Sequence, residues 1–197
     1  MYEFFRETLF FLILINPVSM IVIIGMLHKE LKGRDLGRLM IESSVVALAI
    51  LLVFAFAGKF ILQDVFQIDI SAMMIAGGFV LAFFGFSALH RGFFFHVENH
   101  KNLMELAIVP LASPMIAGPA TITASILKAT EYSSFFVAGA LSLAVLINFI
   151  IMSFSARISE RLNRYNISGA LIRITGLFIM SIGVQMILQG IKFSFLV

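Results

Sequence analysis

The chain has 197 residues, of which 60% are hydrophobic and only 13% are charged, and its formal net charge is +3. Soluble domains contain about 45–50% apolar and about 25% charged residues, so this composition excludes a soluble fold and predicts an integral membrane protein. The absence of cysteine excludes disulfides, thiolate metal sites and cysteine nucleophiles.

Apolar windows of about 20 residues mark helices that span a bilayer. In chain order they cover 4–27, 39–61, 70–90, 106–128, 134–156 and 169–191. The first window is longer than the core of a signal peptide and is expected to remain in the membrane. The connections are short, so we predict a single all-α transmembrane domain over 1–197 with six spans, and none alternates as barrel strands do.

Basic residues predict the orientation of these spans. The connections after spans 1, 3 and 5 hold nine Lys and Arg residues, and the opposite side holds four. Because cytoplasmic loops carry the excess of positive charge, these connections are expected in the cytoplasm. Both termini are then predicted to lie outside.

The two halves of the chain show a weak internal repeat. Asn16-Pro17 in span 1 and Gly118-Pro119 in span 4 coincide at an offset of about 102 residues, and spans 3 and 6 share the similar segments GFVLAFFG and GLFIMSIG. Three helices per half force the second copy to insert upside down. We therefore predict two inverted three-helix repeats, over about 4–90 and about 106–191, with interrupted first helices.

The segment VPLASPMIAGPATIT, residues 109–123, carries three prolines inside span 4. Proline removes a backbone donor and breaks a helix, and a broken helix in hydrocarbon is tolerated only where it faces protein or a wet cavity. We expect the breaks in spans 1 and 4 to meet in one polar pocket. The alternative is a structural kink whose Ser and Thr hydroxyls satisfy the freed backbone. The candidate substrate-binding residues are Asn16, Pro17, Ser19, Ser113, Pro114, Gly118, Pro119, Thr121, Thr123 and Gln185.

Half-helix ends in such a pocket would offer amides to a carboxylate and carbonyls to an ammonium group, which suits a small zwitterionic amino acid. Asn148 and Gln185 either line the pocket or join helices by hydrogen bonds. No Asp or Glu lies in the middle of a span. A coupling proton or sodium ion is therefore compatible with the sequence but not evident, and no cofactor is indicated.

Other chemistry finds little support. The loop HRGFFFHVENH contains His90, His96 and His100 and keeps a metal-binding protein open as an alternative of another class, although it lacks the HExxH arrangement. There is no nucleophile triad or phosphate loop, so an enzyme is not expected. The basic loops are too short to predict nucleic-acid binding. The expected partners are the lipid bilayer and the substrate, and a homo-oligomer is compatible with the sequence.

In four places the sequence resembles the MarC family of membrane proteins. These are Asn16-Pro17, GGFVLAFFG in span 3, PLASPMIAGP in span 4 and GLFIMSIGVQMILQGI in span 6. The resemblance implies an inner-membrane protein of bacteria or archaea with two inverted repeats, related to LysE-type amino-acid exporters. It also implies transport of small neutral amino acids such as glycine and alanine, with a substrate site around the two breaks. Export of another small or drug-like solute is the alternative within transport.

Overall fold

A computed structural model of the protein describes residues 1–28, 33–91, 116–164 and 168–195. Every regular element within these ranges is helical, which confirms the all-α prediction. A π-helical segment, Phe60–Val65, continues the third helix. The helices are α1 (Tyr2–Ile15), α2 (Pro17–Leu27), α3 (Gly33–Lys59), α4 (Ile70–Arg91), α5 (Pro119–Glu131), α6 (Ser134–Arg164) and α7 (Ser168–Phe195).

Four of the described segments are long and apolar enough to cross a membrane: Gly33–Val65, Ile70–His90, Ser134–Ser155 and Gly169–Phe195. They correspond to the predicted spans 2, 3, 5 and 6. Predicted span 1 is divided between α1 and α2, which have 14 and 11 residues. Of predicted span 4, the described residues form the bend before α5 and most of α5, which has 13 residues. A helix of 14 residues is about 21 Å long, less than the roughly 30 Å of the hydrocarbon core.

Helix α4 has two different faces. Phe79, Phe83 and Phe86 lie on one face and are between 55% and 66% exposed. Gly78 and Gly85 lie on the other face and are buried. Large apolar side chains that point away from the protein are unfavourable in water but favourable in contact with lipid tails. This pattern is therefore that of a helix that lies between a bilayer and a protein core.

The glycine face of α4 packs against α7 in an antiparallel pair. A Cβ atom added at Gly78 would lie 2.6 Å from the Gly183 carbonyl oxygen, and one added at Gly85 would lie 2.5 Å from the Gly176 oxygen. These approaches are possible only between residues that lack a side chain. This close packing fixes the register of the two helices.

Helix α6 forms the centre of the remaining helices. Both α1 and α2 pack on α6, as does α3, and α5 packs on α3 and α4. Small side chains permit this close packing, since Ala140 and Ala144 of α6 are fully buried. Gly58 of α3 lies directly against Ile126 of α5. The half-helices α1, α2 and α5 are thus held against the two long helices α3 and α6.

Candidate functional site

The first interruption lies at Asn16, between α1 and α2. Its backbone is left-handed, with φ 58° and ψ 73°, and the residue is 6% exposed. Asn is one of the few residues with a side chain that tolerate this conformation. Pro17 follows as the first residue of α2, a position where its missing N–H costs nothing. The pair Asn-Pro thus ends one helix and starts the next within a single residue.

Asn16 caps both half-helices. Its N–H lies 3.1 Å from the carbonyl oxygens of Leu12 and Ile13, which closes α1. Its Oδ1 accepts a hydrogen bond of 3.4 Å from the N–H of Ser19, and its Nδ2 donates to the Ser19 hydroxyl. The last carbonyls of α1, at Leu14 and Ile15, have no partner within their own helix because the chain turns away.

The second interruption lies at the start of α5. Gly118 is buried and extended, with φ −72° and ψ 166°, and as N-cap of the helix that begins at Pro119 it has no side chain of its own to cap that helix. The Gly118 carbonyl accepts from the N–H of Ile122 at 2.9 Å. The N–H groups of Ala120 and Thr121 belong to the first turn, which has no acceptors in its own helix. Both residues are buried, at 4% and 1% exposure.

The hydroxyls that follow this interruption have different roles. Thr123 Oγ1 donates to the Pro119 carbonyl at 2.7 Å, and Ser125 Oγ donates to the Ile122 carbonyl at 2.7 Å. These two hydroxyls therefore bond to carbonyls of their own helix. The carbonyls that Pro110, Pro114 and Pro119 would free lie outside the described residues, so the kink alternative stays a prediction. Gly77 of α4 packs here, since a Cβ added to it would lie 2.8 Å from Thr123 Oγ1.

Buried polar side chains concentrate around these half-helices. In the part of the chain that the structure describes, they lie on α1, α2, α3, α5 and α6 and at the break after α1, and none lies on α4 or α7. Apart from Glu7, all are uncharged. They are Glu7, Thr8, Asn16, Ser19, Ser43, Ser44, Thr121, Thr123, Ser125, Asn148, Ser155 and Ser159.

Two of these side chains hold polar atoms without a hydrogen-bond partner among the described residues. They are Ser44 Oγ on α3 and Asn148 Oδ1 on α6. The Asn148 Nδ2 is used, since it lies 3.2 Å from Met152 Sδ. An unsatisfied buried polar atom costs about 1–3 kcal/mol, so both positions are suited to a bound water or ligand. The sequence drew attention to Asn148 but not to Ser44, whose only signal is a pair of serines in an apolar run.

The structure distributes the predicted substrate-binding residues over three places. Asn16, Pro17 and Ser19 lie at the first interruption. Gly118, Pro119, Thr121 and Thr123 lie at the second, and Gln185 lies on an exposed face of α7. Ser113 and Pro114 fall outside the described residues. The meeting of the two interruptions in one pocket stays a prediction.

A charged cluster that sequence reasoning missed lies at the end of the bundle where α1 begins. Glu7 is 3% exposed, and its Oε1 lies 2.8 Å from an Arg6 guanidinium nitrogen. Its Oε2 lies 3.4 Å from Lys128 Nζ, which joins α1 to α5. Lys128 Nζ also lies 2.6 Å from Glu131 Oε2. The signal was the spacing of charges in EFFRE, which places them on one helix face.

Aromatic rings complete this cluster. Lys128 Nζ lies 5.7 Å from the centres of the Phe10 and Tyr132 rings, a distance at which a cation is attracted to the ring face. The Tyr132 hydroxyl, between α5 and α6, donates to Glu3 Oε2 at 3.0 Å. This bond to a carboxylate is the main reason that the pKa of Tyr132 is raised.

Gln185 belongs to a cavity next to this cluster. The cavity has a volume of about 530 Å³ and is walled by α1, α5 and α7, with Arg6, Glu7 and Lys128 on one side and Gln185 and Gln189 on the other. This volume lies within the range of small-molecule sites. The sequence identified Gln185 as a candidate but not the charged groups that it faces.

The histidine loop gives no metal site within the described residues, where no three His, Cys, Asp or Glu side chains come together. His90 lies in the last turn of α4 and stacks on Phe86 at 6.0 Å between ring centres. His96 and His100 fall outside the described residues.

The chain is similar throughout its length to membrane proteins of archaea and bacteria. A UPF0056 membrane protein of Pyrococcus horikoshii is 37% identical over 188 residues, which cover 95% of this chain and 93% of the relative. Another of Buchnera aphidicola is 33% identical, covering 92% and 88%. A third, of Methanocaldococcus jannaschii, is 30% identical and covers 91% of each. No solved structure matches the chain.

The family comparison agrees with these relatives. The model of the MarC family of integral membrane proteins matches residues 1–195, and so includes both interruptions and the glycine-paired helices. The resemblance that the proline and glycine motifs indicated is thereby confirmed, and the chain belongs to the MarC family of integral membrane proteins.

Proposed function

We propose that the protein is a secondary transporter of small neutral amino acids such as glycine and alanine. It works by alternating access between two inverted repeats, with the substrate bound at the interruptions before α2 and α5. The buried left-handed break at Asn16 carries this proposal. Interrupted helices in an apolar bundle are tolerated where they line a cavity, and paired interruptions mark substrate sites in transporters.

The glycine packing supports the inverted repeat. If Gly78 corresponds to Gly176 and Gly85 to Gly183, exchanging the repeats turns the contact between Gly78 and Gly183 into one between Gly176 and Gly85. Both contacts occur. The packing of α1 and α2 on α6 is likewise matched by the packing of α5 on α3. An antiparallel pair that maps onto itself is what a two-fold axis in the membrane plane requires.

The buried groups support a small neutral substrate. At the start of α5, the N–H groups of Ala120 and Thr121 and the positive end of the helix favour a carboxylate. The carbonyls at the end of α1, which have no partner in their own helix, favour an ammonium group. Among the described residues, hydroxyl and amide side chains supply the other buried polar groups nearby, which favours a substrate without a charged side chain.

The positive-inside rule supports an orientation with both termini outside. Arg34, Arg38, Arg157 and Arg161 are exposed near the ends of α3 and α6. They lie at the opposite end of these helices from Lys59 and Ser134. Since cytoplasmic ends carry the excess of Lys and Arg, the cluster of Glu7 and Lys128 faces the outside in this proposal.

Uptake of radiolabelled glycine and alanine into proteoliposomes tests the function. The purified protein should give saturable uptake, and Gly118→Leu should lower the initial rate at least tenfold while the protein remains monodisperse in detergent. Gly169→Leu is the matched control, since nothing lies within 4 Å of a Cβ at that position. Uptake and exchange no greater than in empty liposomes, across all common amino acids and imposed proton and sodium gradients, would overturn the proposal.

A further inference from the structure

The cavity between α1, α5 and α7 has walls of opposite character. One wall carries Arg6, Glu7, Lys128 and Glu131, and the other is the apolar helix α7. On α7 the polar residues Ser181, Gln185 and Gln189 follow one another at intervals of four. Residues four apart lie on the same helix face. A polar stripe thus runs along α7 from the end of the bundle towards its middle.

This stripe indicates a wet cavity. Gln185 and Gln189 are exposed and lie within a segment with a mean hydropathy of 1.9. An amide that faces lipid tails loses its hydrogen bonds, which costs several kcal/mol. Amides that instead line a cavity of about 530 Å³ beside four charged side chains keep water as a partner.

The charges that line the cavity balance, with two cations and two carboxylates. They differ in accessibility, because the side chain of Glu7 is 4% exposed, that of Lys128 18% and that of Glu131 46%. Glu7 is therefore the buried anchor, held by Arg6 and Lys128. The pair Lys128–Glu131 is the more accessible one. Its ion pair can open, so that each of the two side chains binds a group of a ligand instead.

We propose that this cavity is a vestibule that binds the zwitterionic substrate before or after its passage through the bundle. The substrate carboxylate binds Lys128 Nζ and its ammonium group binds the Glu131 carboxylate. Gln185 and Gln189 form hydrogen bonds with the substrate from the opposite wall, and Glu7 positions Lys128. A cavity whose charges of both signs balance favours a zwitterion over a net anion or cation. The inference rests on the proposed transport function and adds a second site to it.

Charge-selective inhibition of glycine uptake tests the vestibule. Glycinamide, at slightly acidic pH, supplies the cation and N-acetylglycine the anion. Glu131→Gln leaves the cavity positive and should improve inhibition by N-acetylglycine relative to glycinamide by about tenfold, whereas Lys128→Met should shift the ratio by a similar factor in the opposite direction. Opposite shifts are not produced by a general loss of structure.

Two controls locate the effect. Glu42→Gln removes a carboxylate from the ion pair of Arg38 and Glu42, whose N–O distance is 2.7 Å, and should leave the ratio unchanged. The double variant Gln185→Leu/Gln189→Leu should raise the KM for glycine. Its control is Gln63→Leu, which should not raise the KM, because Gln63 lines a different cavity.

The outcomes separate the two proposals. No uptake by the parent protein overturns the transport function itself. In the second case the parent takes up glycine, but the ratio of inhibition by N-acetylglycine to inhibition by glycinamide is unchanged from the parent in Glu131→Gln and Lys128→Met, or is equal in the two variants. That result overturns the vestibule alone. If Lys128→Met does not fold, Glu131→Gln and the glutamine variants decide, because all three residues are exposed.

Discussion

Replacing Asn16 separates the role of the backbone break from that of the side chain. Asn16→Ala places an alanine in a left-handed conformation, which costs about 1–2 kcal/mol, and removes the cap of α2, which costs about 1 kcal/mol. Asn16→Gly relieves the backbone strain and, as a cap, costs only a few tenths of a kcal/mol. The difference of about 2 kcal/mol corresponds to a Tm lower by about 4–8 °C for Ala than for Gly, on the scale of soluble proteins of this size.

The assay is thermal unfolding in detergent together with glycine uptake. We expect the parent to be the most stable, Asn16→Gly to be less stable, and Asn16→Ala to be the least stable. Uptake should persist in the glycine variant, which keeps the break, and should be lost in the folded alanine variant, which favours a continuous helix. Equal Tm values for the two variants would refute the strain argument. Loss of uptake in both variants, with the glycine protein stable, would show that the Asn16 amide rather than the backbone is required.

Two further predictions concern the packing and the orientation. Gly85→Ala should lower the stability of the detergent-solubilised protein by about 1–3 kcal/mol, since its Cβ would lie 2.5 Å from both Gly176 O and Met180 N. The control Gly37→Ala, whose Cβ has nothing within 4 Å, should leave the stability unchanged or higher. Equal effects of the two substitutions would contradict the α4–α7 register. Because the chain has no cysteine, Ser133→Cys should react with a membrane-impermeant maleimide in intact cells and Arg34→Cys only after permeabilisation, and the reverse pattern would invert the proposed orientation.

The helices could be predicted from the sequence where hydropathy alone determines them. The four long apolar segments that the structure shows coincide with predicted spans to within a few residues at most ends. Hydropathy cannot show that 4–27 is two helices, because the apolar run continues through the break on both sides. The Asn-Pro pair did predict the interruption, since Asn tolerates the left-handed backbone and Pro begins a helix.

The charged cluster shows what a single sequence does not reveal. In the sequence, Arg6 and Lys128 contribute only to the count of basic residues that predicts the orientation. The interaction of Lys128 with Glu7 joins residues that are more than 120 positions apart, and depends on α1 and α5 being packed side by side. Glu7 lies near the start of its span, where a carboxylate is ordinarily solvated, and its burial is a property of the packing.

The two interruptions differ in a way that bears on how a zwitterion would lie between them in our proposal. At the first, Asn16 uses its own side chain to cap the donor end of α2, and the carbonyls that end α1 have no partner within their own helix. At the second, Gly118 has no side chain to cap α5, so the N–H donors of its first turn have no cap from this residue. A substrate would therefore present its ammonium group to α1 and its carboxylate to α5. In the vestibule the carboxylate again binds a group of α5, Lys128, whereas the ammonium group binds Glu131 of the same helix, so a substrate that moves along α5 would keep its carboxylate on this helix and pass its ammonium group from Glu131 to α1.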